Sequence, residues 1–174
     1  VTAQAARSIA RLKIDTDVYS LLESGLDRES HRHVIRNAVM NVLVDLRQPQ
    51  VYPALVKYSK DPYHRDIRTT AIRNLGELAF AIEQHQEETR ELLLDYLKAK
   101  DPSIRRAAIS GLSNLKDDEA IPQLQRVADD DKDEGIRNQA RNAIDNIRKE
   151  EGTGLTTENA KRIDDLEKKQ KEYE

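Results

Sequence analysis

The chain has 174 residues, of which 37% are hydrophobic, 35% charged and only 4% aromatic. It contains 6 glycines, 5 prolines and no cysteine, which disfavours turn-rich β folds and excludes disulfide frameworks and cysteine-ligated zinc sites. With 29 basic and 32 acidic residues the formal net charge is -3, which supplies no long-range field for a polyanion and disfavours nucleic acid as a partner.

A repeated apolar stripe at the helical spacing i, i+4, i+8 and i+11 organises the chain. The stripe occurs five times, as Val1, Ala5, Ile9, Leu12; Ile35, Val39, Leu43, Leu46; Ile67, Ala71, Leu75, Leu78; Ile104, Ala108, Leu112, Leu115; and Ile136, Ala140, Ile144, Ile147. The last members of successive stripes are separated by 34, 32, 37 and 32 residues. This spacing predicts a repeat protein in which each stripe is the buried face of one helix, helix B of its repeat.

Shorter helical segments lie between the stripes, and each has its own apolar pair. The pairs are Val18 with Leu21, Tyr52 with Leu55, Leu93 with Tyr96, and Ile121 with Leu124. Pro53 and Pro122 stand near the start of two of these segments, where a missing N–H is tolerated. Asp101-Pro102 predicts an N-cap and the first residue of a helix B, and Asp133 has the same offset before the next stripe. Each repeat is therefore predicted to be an antiparallel hairpin of a helix A and a helix B.

A lone hairpin cannot bury its stripe, so neighbouring hairpins must stack into a right-handed α-solenoid. Asp101–Leu112 has the pattern D-P-x-(I/V)-R-x-x-A-(I/A)-x-x-L, and with Asp117–Leu124 it resembles the consensus of the short HEAT-like repeats. The resemblance covers about residues 1–149 and implies an all-α superhelix of about four repeats plus a leading helix. We expect a HEAT-like domain over residues 1–150 and a polar, partly helical tail over 151–174, with a dimerisation or docking helix as the alternative for the tail.

The last helix B is predicted to close the array. Gln139 and Arg141 occupy positions at which the preceding helix B carries Ala107 and Ile109. We expect these two polar side chains to form the outward face that a terminal repeat needs.

Each of the last four helices B carries an arginine one residue after its first stripe position. These residues, the arginine column, are Arg36, Arg68, Arg105 and Arg137. An arginine in the first helical turn lies at the positive end of the helix dipole, which is unfavourable by about 0.3 kcal/mol, so another group should compensate it. One interpretation is a ladder of ion pairs to acidic residues of the adjacent repeat. The other is a row that recognises an anion or a partner.

The sequence offers little for catalysis. His31 and His33 point to nearly opposite sides of a helix and could share a metal only in a loop. No H-E-x-x-H motif, Gly-rich phosphate loop or nucleophile elbow is present. The acidic blocks Asp117–Glu119 and Asp129–Glu134 are interpreted as solvated turns, because their spacing does not match a calcium loop. We therefore predict no catalytic, cofactor-binding or metal site in this chain.

Three features of the sequence resemble one particular family of proteins that contain HEAT-like repeats. Ser30–Arg36 (SHRHVIR) enters a helix B, Glu91–Leu97 leads into Asp101-Pro102, and the chain ends in a charged Leu/Glu/Lys-rich tail. Together they are similar to the C-terminal helical region of one bacterial and archaeal branch of the aminopeptidase N family of zinc metallopeptidases. This resemblance implies a non-catalytic scaffold beside an upstream catalytic domain of the same polypeptide, which would hold zinc and hydrolyse peptides. The uncapped first helix at Val1 is consistent with such an upstream continuation.

Two other classes of function stay open. A free-standing HEAT-like scaffold would bind a protein or peptide on the concave face of its helices B. An enzyme built on such repeats, for example a bilin lyase or a DNA glycosylase, is the other class. The glycosylase would need a basic groove and aromatic residues for a flipped base, and the net charge of -3 and the absence of tryptophan count against it. No apolar run reaches the roughly 20 residues of a membrane span, so we expect no membrane partner. We expect a cytoplasmic location, with a secreted or periplasmic parent protein as the alternative.

Overall fold

The structure, a computed structural model, describes Leu26 and residues 33–149. This part of the chain contains seven α-helices and no β-strand. The helices are α1 (Val34–Asp45), α2 (Tyr52–Ser59), α3 (Arg65–Ile82), α4 (Gln86–Tyr96), α5 (Pro102–Leu115), α6 (Ile121–Asp130) and α7 (residues 134–149). Short 3-10 turns at Pro49–Val51 and Asp118–Ala120 lead into α2 and α6. Helices α2, α4 and α6 are the predicted helices A, and α1, α3, α5 and α7 are the predicted helices B.

Several predictions about the two ends of the chain lie outside the described residues. They concern the leading helix that starts at Val1, the helix A that carries Val18 and Leu21, and the tail over 151–174. The domain boundary near residue 150 belongs with them. These expectations stay predictions.

The starts of two helices B are fixed by aspartate caps. The Asp101 carboxylate accepts a hydrogen bond from the Ser103 N–H at 2.8 Å, and Pro102 is the first residue of α5. The Asp133 carboxylate accepts one from the Gly135 N–H at 2.8 Å at the start of α7. Each cap satisfies an N–H group that has no acceptor within its own helix. The two N-caps predicted from the sequence are confirmed.

The apolar stripes of α3, α5 and α7 are completely buried, and they form the core together with residues of the helices A. The least exposed members, at 0% each, are Ala71, Leu75, Leu78, Ala108, Leu112, Ile136, Ala140 and Ile147. Helix α3 belongs to two core clusters, since Leu75 packs with α1 and α2 whereas Ile72 packs with α4 and α5. One helix thus faces two neighbours, as stacked hairpins require. The predicted α-solenoid is confirmed.

Helices α3 and α5 approach each other most closely at two glycines. A Cβ atom added to Gly76 would lie 1.9 Å from the carbonyl oxygen of Gly111, and one added to Gly111 would lie 2.8 Å from the carbonyl oxygen of Ile72. No side chain fits at either position. The two glycines therefore set the distance between these neighbouring helices B.

Polar side chains also join adjacent helices B. The Asn74 amide donates to the Asn41 side-chain oxygen at 2.9 Å, which links α3 to α1. The Asn146 amide donates to the Ser113 hydroxyl at 2.9 Å, which links α7 to α5. In both pairs the partners are 33 residues apart in sequence, so each bond joins equivalent faces of consecutive repeats.

The helices A are joined by hydrogen bonds between hydroxyl groups. The Thr89 hydroxyl donates to the Tyr52 hydroxyl at 3.1 Å, and the hydroxyls of Ser59 and Tyr96 lie 2.8 Å apart. Both pairs link α2 to α4 across 37 residues of sequence. Thr89 and Ser59 are 0% exposed, so water cannot replace these bonds.

The prediction that Gln139 and Arg141 form an outward polar face of the last helix B is partly wrong. The Gln139 amide donates to the carbonyl oxygen of Arg106 at 3.0 Å and to the Ser110 hydroxyl at 2.9 Å, so it faces the preceding helix B. Arg141 is exposed, and it donates to the carbonyl oxygen of Ala128 in α6 at 3.0 Å. Gln139 is polar because it makes inter-repeat hydrogen bonds, not because it faces solvent.

Candidate functional site

The arginine column donates to backbone carbonyl oxygens of the segment that precedes each helix B. The contacts join Arg36 to Leu26, Arg68 to Ser59 (3.1 Å), Arg105 to Ala99 (3.0 Å) and Lys100 (3.2 Å), and Arg137 to Asp131 (2.7 Å). For α3, α5 and α7 this segment is the C-terminal end of a helix A or the residues just after it. Such carbonyls lack intrahelical partners and form the negative end of the helix dipole. For Arg68, Arg105 and Arg137, carbonyl oxygens at or just after the C-terminus of helix A thus accept hydrogen bonds from the guanidinium at the start of helix B.

Two members of the column also form ion pairs. Arg105 binds both carboxylate oxygens of Asp131, at 2.8 and 3.1 Å, and the two side chains are only 17% and 9% exposed. Arg68 binds Asp61 at 2.5 Å, where the aspartate is 83% exposed. Asp131 belongs to the next repeat, whereas Asp61 belongs to the same hairpin as its arginine. The structural role and the partner-binding role of the column both stay predictions.

Asp131 is held in its charged form by the groups around it. Burial pushes the pKa of Asp131 upward, but hydrogen bonds from Arg105 and from the Asp133 N–H act in the opposite direction. The positive charges of Arg105 and Arg137 also lower the pKa of Asp131. As a result this pKa lies below its ordinary value of 3.8. The carboxylate is therefore ionised at neutral pH and links two repeats.

The first acidic block is also ion-paired. The Arg90 guanidinium binds Asp117 at 2.6 Å and Glu119 at 2.8 Å, and it joins α4 to the turn before α6. Arg90 and Asp117 are 16% and 15% exposed. The interpretation of the acidic blocks as solvated turns is wrong for Asp117 and Asp131, because guanidinium groups of the preceding repeat neutralise these carboxylates.

A sequence signal for these ion pairs exists, although it is weak. Arg90 precedes Asp117 by 27 residues, and Arg106 precedes its partner Asp133, at 2.7 Å, by the same number. Arg105 precedes Asp131 by 26 residues. An arginine in one repeat, followed 26 or 27 residues later by an aspartate in the next repeat, would have indicated contacts between neighbours.

Helices α3, α5 and α7 present a continuous surface on the side away from the helices A, here named the B face. Two hollows of about 470 Å³ each lie on it. The first, the arginine hollow, is lined by three arginines and three hydroxyl side chains: Arg65, Arg73, Arg106, Thr69, Ser103 and Ser110. The second is lined mainly by amides and hydroxyls: Asn114, Asn142, Asn146, Ser110 and Ser113. Ser110 and Gln139 line both hollows, so the two adjoin.

The arginine hollow carries positive charge that the described part of the chain does not neutralise. Arg106 is paired with Asp133, but Arg65 and Arg73 form no ion pair with any described residue. Both of these arginines are exposed. Asp66 is the single carboxylate among the residues that line the hollow, and its oxygen lies 3.8 Å from His64 Nδ1.

A groove of about 720 Å³ lies on the opposite side of the protein, between α4 and α6. Leu94, Leu97 and Val127 provide its apolar part, and four carboxylates stand around them: Glu91, Asp95, Asp130 and Asp131. Two cations line this groove as well. Lys98 pairs with Asp95 at 2.9 Å, and Arg126 donates to Gln123 at 3.3 Å. Carboxylates therefore outnumber cations among the residues that line this groove, whereas arginines outnumber carboxylates in the arginine hollow.

The described residues contain no group of three or more histidine, aspartate or glutamate side chains that could hold a metal ion. The rings of His33 and His64 lie 4.9 Å apart between centroids, whereas His31 lies outside the described residues. Pairing of His31 with His33 therefore stays untested. None of the described helices is long and apolar enough to cross a membrane.

Comparison with known proteins agrees with this architecture. Residues 65–145 match the family model of HEAT repeats. A similar solved chain belongs to the complex of CpcE and CpcF of phycocyanin lyase from Nostoc sp. PCC7120, with 20% sequence identity and a TM-score of 0.68. The similarity covers 81% of this chain and 87% of that chain, and at this identity it shows the fold alone. No curated protein sequence matches. The described part of the chain is thus an α-solenoid of helical hairpins, and it is similar to HEAT repeats over residues 65–145.

The assignment to an aminopeptidase is wrong. The matching family model describes HEAT repeats and the matching structure comes from a phycocyanin lyase complex, and neither supports a peptidase. The residues that suggested the peptidase do what any stacked hairpin needs: Arg36 binds the Leu26 carbonyl, Leu93 is 0% exposed, and Asp101 caps α5. These residues therefore indicate a helical hairpin and do not indicate a neighbouring domain. A zinc-dependent parent with an upstream catalytic domain therefore has no support.

Proposed function

We propose that this chain is a protein-binding scaffold without catalytic chemistry of its own, and that the B face is its binding surface. The observation that carries the proposal is the pair of adjoining hollows across α3, α5 and α7. Amide side chains such as Asn142 both donate and accept hydrogen bonds, and the hydroxyls of Ser103 and Ser113 do the same. Such groups suit the N–H and C=O groups of a polypeptide main chain.

The B face is also pre-organised. The contact between Gly76 and Gly111 fixes the distance between α3 and α5, and the hydrogen bond from Asn146 to Ser113 ties α7 to α5. A surface that is already ordered loses little conformational entropy on binding, so more of the contact energy appears as affinity. Similarity to a chain from a complex of two proteins, CpcE and CpcF, supports a role in protein association.

A photo-reactive amino acid at Asn142 on the B face, with Gln125 on α6 as the control position, tests this proposal in the cells that produce the protein. The captured partner is identified by mass spectrometry and purified, and its dissociation constant is then measured with the variants Asn142→Trp and Gln125→Trp. We expect Asn142→Trp to weaken binding at least about tenfold, which corresponds to about 1.4 kcal/mol, and Gln125→Trp to leave it unchanged. Equal effects of the two substitutions would contradict a binding role of the B face.

A second candidate function is that of a subunit of a bilin lyase. The observation that favours it is the similarity over 87% of the matched chain from the phycocyanin lyase complex. The test is to mix this chain with a bilin and phycocyanin apoprotein and to measure visible absorbance of the protein after denaturation. A scaffold gives no covalent adduct by itself, whereas an adduct that requires this chain would favour the lyase function.

A further inference from the structure

We propose that the arginine hollow binds an acidic, extended segment of a partner protein, and that carboxylates of this segment pair with Arg65 and Arg73. The inference depends on the proposed scaffold function and adds the chemistry of the partner. It starts from a contrast between two groups of arginines on the same helices.

Two arginines of the column, Arg68 and Arg105, already have ion-pair partners within the chain. Arg68, for example, is 19% exposed and contacts both the Ser59 carbonyl and Asp61. Arg65 and Arg73 lie on the same helix, but they are exposed and have no ion-pair partner among the described residues. Their guanidinium groups are therefore available to an external anion, whereas those of Arg68 and Arg105 already bind carboxylates of the chain.

The spacing of the two arginines suggests the shape of the ligand. They are separated by 8 residues in α3, and Thr69 stands midway between them. A helix rises about 1.5 Å per residue, so the arginines are offset by about 12 Å along the helix axis. An extended chain rises about 3.3 Å per residue, so two side chains four residues apart are offset by about 13 Å and point to the same side. Glutamates at positions i and i+4 of an extended segment therefore match the two arginines.

The local charge directs an acidic segment to this face. Among the residues that line the arginine hollow, three are arginines and only Asp66 is acidic. In the groove between α4 and α6, Asp131 is paired with Arg105 and Asp95 with Lys98. Among the residues that line the groove this leaves the carboxylates of Glu91 and Asp130 and the guanidinium of Arg126, so a negative charge remains. An acidic segment would be repelled by that groove and attracted by the arginine hollow. The net charge of -3 for the whole chain adds no general attraction for anions. The attraction for an acidic segment therefore has to come from the arginines of the hollow itself.

The experiment uses the full chain and fluorescence anisotropy with labelled peptides. The probe peptide has glutamate at alternate positions with alanine between them, and the control peptide has glutamine in place of glutamate. We expect the acidic peptide to bind at least about tenfold more tightly than the control, since its glutamates form charge-assisted hydrogen bonds with Arg65 and Arg73 that neutral glutamines cannot form. The affinity should fall as salt is added, because both arginines are exposed. Equal binding of the two peptides would overturn the inference.

A pair of double variants locates the binding. Arg65→Gln with Arg73→Gln removes the unpaired charges of the hollow, and Arg126→Gln with Arg148→Gln removes two exposed arginines elsewhere. The first variant should weaken binding of the acidic peptide about tenfold, and the second should leave it unchanged. Equal losses would show that only net charge matters and would overturn the inference. A single-stranded oligonucleotide that displaces the peptide and binds more tightly would also overturn it.

The outcomes separate this inference from the scaffold function itself. If Asn142→Trp weakens the natural partner while the variant of Arg65 and Arg73 does not, the scaffold stands and the acidic segment is refuted. If neither change on the B face affects the partner, both proposals are refuted. Circular dichroism checks that the double variants fold, and we expect unchanged thermal stability because neither Arg65 nor Arg73 forms an ion pair within the described residues.

Discussion

The carbonyl oxygen of Gly111 occupies the space in which a side chain on Gly76 would begin, 1.9 Å from the position of its Cβ atom. This contact lies between α3 and α5, the two helices that contribute most of the arginine hollow. The separation of the helices, and with it the shape of the B face, depends on the absence of two side chains.

Gly76→Ala should lower the free energy of unfolding by about 2–3 kcal/mol, because α3 and α5 must move apart to admit the methyl group. Helix propensity alone predicts the opposite sign, since alanine is favoured over glycine in a helix by about 1 kcal/mol. Denaturant unfolding followed by circular dichroism measures the change. Gly135→Ala is the control, since its nearest contact would be a side-chain oxygen of Asp133 at 3.1 Å. A stabilised Gly76→Ala variant would show that the helices adapt at no cost.

The arginine column allows a direct comparison between two of its members. Arg105→Gln should lower the melting temperature more than Arg68→Gln, because Arg105 shares a bidentate ion pair with an aspartate that is 9% exposed. The aspartate bound by Arg68 is 83% exposed, and exposed ion pairs contribute only about 0.2–1 kcal/mol. For the partly buried pair we expect a loss of about 1–3 kcal/mol. Thermal scans at one pH provide the comparison, and unchanged melting temperatures for both variants would favour the partner-binding role of the column.

The ion pair of Asp131 should make the stability depend on pH in the acidic range. Its folded pKa lies below the ordinary value of 3.8, so the stabilisation is complete above that value and is lost as the pH falls through the folded pKa. Asp131→Asn should therefore be less stable than the natural chain at neutral pH, and the difference should shrink on acidification. Melting temperatures from neutral pH down to about pH 2.5 measure this trend, since unperturbed aspartate titrates near pH 3.9. A difference that does not vary with pH would contradict the role of the charge.

The periodicity of the sequence was sufficient to predict the repeat, the helical hairpins and the caps. Burial of a stripe such as Ile67 to Leu78 repeats in α5 and α7, so a single chain displays the rule several times. The close contact of Gly76 with Gly111 could not be found in this way. The residues equivalent to each glycine in the other repeats are not glycines, and the contact joins positions 35 residues apart.

The candidate site was predicted only in part. The column was visible because Arg68 and its equivalents recur, but their acceptors are backbone carbonyls, which no side-chain pattern reveals. Arg65 and Arg73 were not singled out, because the other described helices B carry different residues at the same positions; for example, Ser110 corresponds to Arg73. The buried stripe recurs in α3, α5 and α7, whereas the residues that line the arginine hollow differ between repeats.

A hydrogen bond between helices A offers a test of how repeats are coupled. The Thr89 hydroxyl is buried and donates to the Tyr52 hydroxyl at 3.1 Å, and burial raises the pKa of Tyr52. Thr89→Val and Tyr52→Phe each remove one partner while keeping most of the side-chain volume. Each should cost about 1–2 kcal/mol, because a buried hydroxyl or its partner is left without a bond. The double variant should cost less than the sum, with a coupling energy of about 1 kcal/mol measured by denaturant unfolding.

The neighbouring pair of hydroxyls supplies the control for this cycle. Tyr96 is bonded to Ser59 at 2.8 Å and not to Thr89, although both tyrosines belong to the same layer of helices A. The costs of Thr89→Val and Tyr96→Phe should therefore add, because the two changes remove different hydrogen bonds. If this second cycle showed the same coupling as the first, the energy would come from a general loosening of the layer. Coupling confined to Tyr52 and Thr89 would show that single side-chain bonds connect one repeat to the next.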